Sequence, residues 1–459
     1  MNFGQYRLGI DFGTTYSRVA TWKDDSIILI PNSIGEPSTP SEVIFESPSK
    51  CYVGEETLNH LSHKNSVTIY EIKRLLGKSY DEIKDIINYF PFKIIKDEDK
   101  NKPVIKMTFN DNNSIELYPE QIVTLILKKL IMNDEYFLSQ KIKEIIISVP
   151  ANFSELQKKA MKYAAEEIDG IRIIKIINEY SASILAYAFP KNKLKNNFFP
   201  FNKYIKMKHT KTCHPMEENI ISSNLDQIQS TSEQIHNENN NYIFINSFFT
   251  QKKDLRRILV IDLGGGSFDV SLIEVENDEN NQIYELKASI GNQELGGSDF
   301  DKKLMDYCIK EFLSKNYTYF DPNILQNNYK CIRRLKRVCE ESKKFLSINS
   351  EDTLLLEDFY DEKPLVCKIT RAKFEELCKD LFAKLIIPID NVLKEVNLKN
   401  ENIDEIICAG GCCLIPKVKE IIQLKFPTVP INDKISPDEA VAFGAAIYAE
   451  SLRKIDEEF

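Results

Sequence analysis

The chain has 459 residues, 42% of them hydrophobic and 28% charged, with a formal net charge of −9 at pH 7. That length supports more than one hydrophobic core, and the acidic balance argues against nucleic acid as a partner. No apolar run approaches the roughly 20 residues that span a bilayer, and no secretory leader precedes the first strand, so a cytoplasmic or nuclear location without membrane contact is expected.

The first element is the apolar run Leu8-Gly9-Ile10, which ends at Asp11 and turns through Phe12-Gly13-Thr14-Thr15-Tyr16-Ser17. Ile145 to Val149, closed by Pro150, predicts a buried strand. Ser154, followed three residues later by Gln157, predicts a capped helix running through Ala165. Ile173 to Ile177 reads as a strand, and Asn178-Glu179-Tyr180 turns from it into an apolar helix over 182–189. Strands alternating with helices place residues 1–190 in one α/β lobe. Residues 191–256 are rich in Asn, Ser, Gln and Lys and lack a sustained period, which predicts a disordered, low-complexity insertion. Loop-closure entropy grows slowly with length, so such an insertion is tolerable between packed lobes.

A second α/β lobe is expected over 257–459. It opens on Val260-Ile261-Asp262-Leu263-Gly264-Gly265-Gly266-Ser267-Phe268-Asp269-Val270, which repeats the plan of the N-terminal motif. A helix is predicted from Pro322 to Phe345, strands near Leu354 and Val366, and one helix from Arg371 to Val396. The strand Ile406 to Ala409 then leads into Gly410-Gly411 and another helix. A small-residue helix begins at Pro437-Asp438-Glu439-Ala440.

The duplicated motif has the chemistry of a phosphate cradle. Glycines let backbone N–H groups approach phosphate oxygens, and hydroxyls add donors. A strand-end aspartate repels a polyphosphate unless a cation bridges them, so Asp11 and Asp262 imply Mg²⁺. Two such turns face to face would clamp one nucleotide. Gly77-Lys78-Ser79 imitates the end of a P-loop, but position 72 is Ile, so the first glycine of that motif is missing. Of the ten cysteines, Cys308, Cys339, Cys378 and Cys408 sit in apolar segments, which predicts buried thiols in a reducing compartment. Cys408, Cys412 and Cys413 lack histidine partners for zinc, and His60 with His63 reads as a surface pair.

In this order, these residues resemble the actin-like ATPase superfamily and, within it, the 70-kDa heat-shock (DnaK-type) chaperones. Ile10 to Ser17 and Asp262 to Val270 match the two phosphate motifs, Ile177-Asn178-Glu179 the connecting region, and Leu295-Gly296-Gly297-Ser298-Asp299-Phe300-Asp301 a family signature. Gly410-Gly411 with Ile415-Pro416-Lys417 matches the adenosine motif. The resemblance implies a two-lobed α/β fold, ribonuclease H-like in each lobe, with ATP or ADP, Mg²⁺ and in some members K⁺ in the cleft. By the same resemblance, Gly13, Thr14, Thr15 and Tyr16 hold phosphates from one lobe, and Gly265, Gly266 and Ser267 from the other. Asp11 and Asp262 hold the metal largely through water. Lys73 stabilises the transferring phosphate, and Glu179 and Asp269 position the attacking water, with Asp269 the candidate proton acceptor. Gly297, Glu340, Lys343, Lys344, Ser347, Gly410, Gly411 and Asp438 frame the nucleoside.

The chain also departs from the family pattern. Cys412-Cys413-Leu414 stands where the family has Ser-Thr-Arg, so the arginine that stacks on adenine is Leu414. Tyr180 replaces a proline, Lys158 an arginine, Ser298 an acid and Asn292 an aspartate, while Pro150 is retained. Set against the family, the sequence stops before a peptide-binding domain, which implies a stand-alone ATPase core. The resulting expectation is a slow, monomeric Mg-ATPase acting in protein folding as a partner or regulator of other chaperones, with J-domain proteins and nucleotide-exchange factors as partners. The alternatives are a nucleotide-binding pseudo-ATPase scaffold and a small-molecule kinase of the same superfamily.

Overall fold

The computed structural model describes residues 6–60, 66–87, 90–109, 113–189, 206–209, 255–278, 281–317, 325 and 328–458. In the first half, β1 (Arg7–Asp11), β2 (Tyr16–Lys23) and β3 (Ser26–Leu29) form an antiparallel meander. β4 (Glu144–Val149) lies parallel to β1, and β5 (Arg172–Asn178) parallel to β4. The order across the sheet is β5-β4-β1-β2-β3, with Thr39–Pro40 paired to the start of β2.

The second half contains β6 (Lys206–His209), β7 (Arg256–Leu263), β8 (Phe268–Asp278), β9 (Asn281–Asn292), β10 (Glu405–Ala409) and β11 (Ile431–Asn432), in the order β11-β10-β7-β8-β9-β6. Strand directions from β11 to β9 repeat those from β5 to β3. The duplication read in two short motifs therefore extends to two whole sheets. From Ile258 to Leu263, β7 is buried at every residue, the pattern of a central strand covered on both faces. Within the stretch read as an irregular insertion, Lys206–His209 adds a parallel strand to the edge at β9. The rest of that stretch up to residue 254 lies outside the described residues.

The helices are α1 (Pro119–Leu138), α2 (Glu155–Glu166), α3 (Glu179–Ala188), α4 (Gly297–Asn316), α5 (Tyr329–Ile348), α6 (Arg371–Leu377), α7 (Lys379–Lys384), α8 (Ile386–Glu395), α9 (Pro416–Lys425) and α10 (Ala440–Glu458). The capping box expected for α2 is present, with Gln157 N donating to Ser154 Oγ at 3.2 Å and Ser154 N to Gln157 Oε1 at 3.1 Å. Three boundaries differ from the sequence reading. α3 begins at Glu179 rather than Ala182. α5 begins at Tyr329, where Asn328 Oδ1 accepts from the amide of Cys331 at 3.2 Å, and Pro322 lies outside the described residues. The single helix expected over 371–396 is three short helices. Pro388 accounts for the last break, since it has no N–H for the carbonyl of Lys384 and its ring crowds that carbonyl. The strands expected near Leu354 and Val366 form one hairpin, Glu351–Tyr360 with Lys363–Thr370.

The helices on the inner faces are exchanged between the halves. α3, from the first half, packs on β7 and β10 of the second sheet, while α10, from the second, packs on β1 and β2 of the first. Tyr187 on α3 donates to the carbonyls of Cys408 (3.2 Å) and Ile435 (2.9 Å). The exchanged helices meet at Gly444, where a Cβ would stand 1.7 Å from the carbonyl oxygen of Ala182. α10 lies equally close to β1, where a Cβ on Gly9 would stand 2.2 Å from the amide nitrogen of Ala446. This is the two-lobed actin-like plan, with a cleft between the lobes above the crossed helices. No described helix is long and apolar enough to cross a membrane.

Candidate functional site

The strand-end positions expected for Asp11 and Asp262 hold. Asp11 closes β1 opposite Ser148 and Arg18, and Asp262 lies near the end of β7 opposite Ala409 and Asp269. The turn after each strand faces the other across the cleft. A Cβ on Gly265 would stand 2.2 Å from Thr15 Oγ1, and one on Gly266 2.5 Å from Thr14 Cγ2, so the turns meet only because both residues are glycine. The second turn is closed by Gly264 N donating to Ser267 O at 3.0 Å. Its carbonyls at 264 and 265 accept from the amides of Gly297 and Ser298 at the start of α4, at 2.9 and 2.8 Å.

Between the turns lies a cleft of about 520 Å³. Its walls include Asp11, Gly13, Thr14, Thr15, Tyr16, Lys73, Glu179, Asp262, Gly265, Ser267, Glu340, Lys343, Lys344, Ser347, Gly410, Gly411 and Asp438. Gly266, Gly297 and Asp269 stand just behind this surface. Gly266 abuts Thr14, and Gly297 gives its carbonyl to Lys343 Nζ at 2.9 Å. Arg18, Ser38, Ile348, Leu414, Ile415 and Val441 also line the cleft. Sequence reading missed Arg18, whose role depends on a partner 420 positions away: its Nη2 donates to Asp438 Oδ2 at 2.6 Å.

At one end of the cleft, Lys73 is buried on the 3-10 turn Ile72–Arg74. Its ammonium donates to Glu179 Oε1 at 2.8 Å and to the carbonyl of Phe12 at 2.6 Å. Glu179 is the first residue of α3, a position where the helix dipole favours a negative charge. Asp269 is buried, and neither carboxylate oxygen has a hydrogen-bond partner. Burial and the nearby Glu179 charge push it up to about 8, against the attraction of Lys73 and a weaker influence of the Ser267 hydroxyl. Burial and Glu179 likewise raise Asp11 to about 6 and hold Asp262 well above the usual carboxylate range. Four acids around one lysine, two of their oxygens unpaired, make a site that is short of positive charge. Among the described residues no three His, Cys, Asp or Glu side chains converge as direct metal ligands. The shortage of positive charge fits a divalent cation at this point, and Asp11 and Asp262 are the residues that would hold it.

At the opposite end, Glu340, Lys343, Lys344 and Ser347 lie on one face of α5. Lys343 pairs with Asp301 at 2.8 Å. Lys344 pairs with Glu340 at 2.9 Å and sits 4.0 Å over the Tyr16 ring. Gly410 adopts φ +79°, and a Cβ there would stand 2.4 Å from the Leu263 carbonyl, so the loop can lie on the end of β7 only as glycine. Leu414 remains 48% exposed on the rim, and Cys412 and Cys413 are buried behind it. Cys413 Sγ donates to the Ala409 carbonyl at 3.0 Å, which ties down the loop and makes it a structural thiol. All nine cysteines among the described residues are free. His60 stacks on Tyr52 with ring centroids 3.4 Å apart, and His63 lies outside the described residues.

Comparison with known proteins agrees with this geometry. The family model described as Hsp70 protein matches residues 7–201 and 247–457. The chain is 32% identical over 447 residues to heat shock cognate 70 kDa protein 3 of Dictyostelium discoideum, covering 97% of this chain and 60% of that protein. It is 31% identical over 447 residues to heat shock 70 kDa protein 2 of Paracoccidioides lutzii, covering 97% of this chain and 57% of that protein. The heat shock 70 kDa protein of Neurospora crassa is also 31% identical over 447 residues, with 97% and 58% covered. The chain thus spans about three fifths of the length of these curated relatives. With the paired phosphate turns, the Lys73–Glu179 pair and the matched residues on both lobes, the chain belongs to the Hsp70 family.

Proposed function

We propose that this protein binds ATP and ADP with Mg²⁺ in the interlobe cleft, hydrolyses ATP slowly, and serves in protein folding as a nucleotide-controlled partner of other chaperones. The observation that carries this reading is the Lys73–Glu179 pair set between two facing Gly/Thr and Gly/Ser turns, with the unpaired Asp269 carboxylate behind them. A bound Mg²⁺ supplies charge neutralisation on the triphosphate, and Asp11 and Asp262 are the residues that would hold it. Thr14, Thr15 and Ser267 offer hydroxyls to phosphate oxygens from both lobes. Lys73 places a buried positive charge where negative charge grows on the transferring phosphoryl group. Glu179 anchors that ammonium and, with Asp269, orients a water in line with the phosphate. Burial raises the proton affinity of Asp269, which suits it to take the proton from that water.

J-domain proteins and nucleotide-exchange factors are the proposed partners, and a monomer in a reducing, cytoplasmic setting the proposed state. The free, mostly buried cysteines support that setting. Single-turnover cleavage of ATP with Mg²⁺, measured with and without a J-domain protein, tests the proposal. Slow cleavage accelerated by the J-domain protein is expected. Nucleotide binding without cleavage would replace it with a pseudo-ATPase scaffold.

A further inference from the structure

Glu71 immediately precedes the 3-10 turn that carries Lys73, and it adopts φ 54°, ψ 30°. A residue with a side chain occupies this left-handed region only when its surroundings hold it there. Its carboxylate is fully buried, and two of its partners come from the opposite lobe. Lys336 on α5 pairs with Oε1, and the Ser298 hydroxyl at the start of α4 donates to the same oxygen at 2.6 Å. Arg74 Nε lies 3.3 Å from Oε2, while its Nη2 reaches Asp299 Oδ2 at 3.3 Å across the cleft. The Lys336 ammonium also sits 4.1 Å over the ring of Tyr70. Ser298 stands where the family resemblance leads one to expect an acid. A carboxylate there would oppose Glu71, whereas the hydroxyl bonds to it.

α5 explains why this contact bears on chemistry. Arg333, Lys336, Glu340, Lys343 and Ser347 follow one another at three- and four-residue spacing and so share one face of the helix. The N-terminal part of that face grips the first lobe: Arg333 bonds to Thr68 and reaches Glu42 Oε1 at 3.2 Å, and Lys336 takes Glu71. The C-terminal part lines the nucleotide cleft. One rigid helix therefore touches both the base end of the cleft and the turn that carries Lys73.

We propose that Glu71 is a positioning residue. Docked by Lys336 and Ser298 of the opposite lobe, it sets the turn that holds Lys73 against Glu179, so that seating α5 on the first lobe and placing the lysine are one event. This rests on the ATPase reading above for its kinetic part and on packing alone for its structural part.

Two measurements on Lys336→Met and Lys336→Arg test the proposal. In ADP-bound protein, deuterium exchange at the amides of residues 72–76 should speed up in Lys336→Met and stay near wild type in Lys336→Arg. In single-turnover cleavage, Lys336→Met should slow the chemical step on the order of 10- to 100-fold, the usual effect of a displaced catalytic group, with ADP affinity little changed. Lys336→Arg should keep most of the rate. Should Lys336→Met not fold, Glu71→Gln removes the charge with little change of shape and is read the same way. Unchanged exchange at 72–76 with a wild-type rate would overturn the proposal, and so would equal losses of rate and ADP affinity, the mark of a merely structural contact. If the wild-type protein cleaves no ATP, the ATPase reading falls and deuterium exchange alone decides.

Discussion

Arg18 and Asp269 occupy equivalent places in the two halves of the molecule. Each lies one strand across from the cleft aspartate of its own sheet, Arg18 opposite Asp11 and Asp269 opposite Asp262. Their surroundings then diverge. Arg18 turns to Asp438 at 2.6 Å, whereas Asp269 keeps both oxygens unpaired beside the Lys73–Glu179 pair. A duplicated scaffold thus presents a paired cation at one corresponding site and an unpaired carboxylate at the other.

Replacing Lys73 with Ala removes the only positive charge hydrogen-bonded to Glu179 among the described contacts of that pair. The ATP cleavage rate in single turnover should fall about 100-fold or more, the scale seen when a preorganised charge is deleted. Calorimetric ADP affinity should change little if, as proposed, the lysine acts on the transferring group. Cleavage at the wild-type rate would remove Lys73 from the mechanism.

At the base end, Leu414 is half-exposed and Lys344 is occupied by Glu340 and Tyr16. Leu414→Arg should place a guanidinium over the base and tighten Mg-ADP binding roughly two- to thirtyfold, corresponding to about 0.5–2 kcal/mol for a cation–π contact. Calorimetry on both proteins reads this directly. Unchanged affinity would mean that the base does not reach position 414.

Asp134, inside α1, is 1% exposed, and its Oδ2 has no partner. Burial, with a smaller effect from Glu135, holds its carboxyl well above the usual range. A raised carboxyl stabilises the fold while both states are protonated. That contribution is lost as pH rises above about 4, where the unfolded chain ionises and the folded chain does not. Asp134→Asn should therefore gain stability over wild type as pH rises from 4 to 8, by at most about 1.4 kcal/mol per unit, with little difference below pH 4. Melting curves across that range would contradict the prediction if the two proteins ran parallel.

Gly444→Ala forces a methyl group onto the carbonyl of Ala182, where only 1.7 Å is free. Crowding of this kind typically costs about 1–3 kcal/mol, and here the atoms that must yield are backbone. A melting temperature lowered by several degrees is the expected result, and an unchanged one would show that α3 and α10 can slide apart without strain.

Much of the site was legible because its chemistry is local in sequence. Strand-end aspartates, glycine turns and the capping box of Ser154 with Gln157 each need only a few neighbouring residues. What escaped depends on distant partners. Nothing near Arg18 foretells Asp438, and nothing near Glu71 foretells Lys336 or Ser298. The split of the 371–396 helix was locally readable from Pro388, but the continuous apolar periodicity around it masked the break. The exchange of α3 and α10 was also invisible, because an apolar helix face does not state which sheet it will cover.

That exchange has a consequence for how the molecule comes apart. Each half lends its final helix to the other half's sheet, so neither sheet has its inner face covered by its own half alone. Unfolding one half would strip the other of its cover and expose apolar strand residues such as Val260 and Ile407 or Ile146 and Ala20. Loss of one half would therefore uncover part of the other, which couples the unfolding of the two.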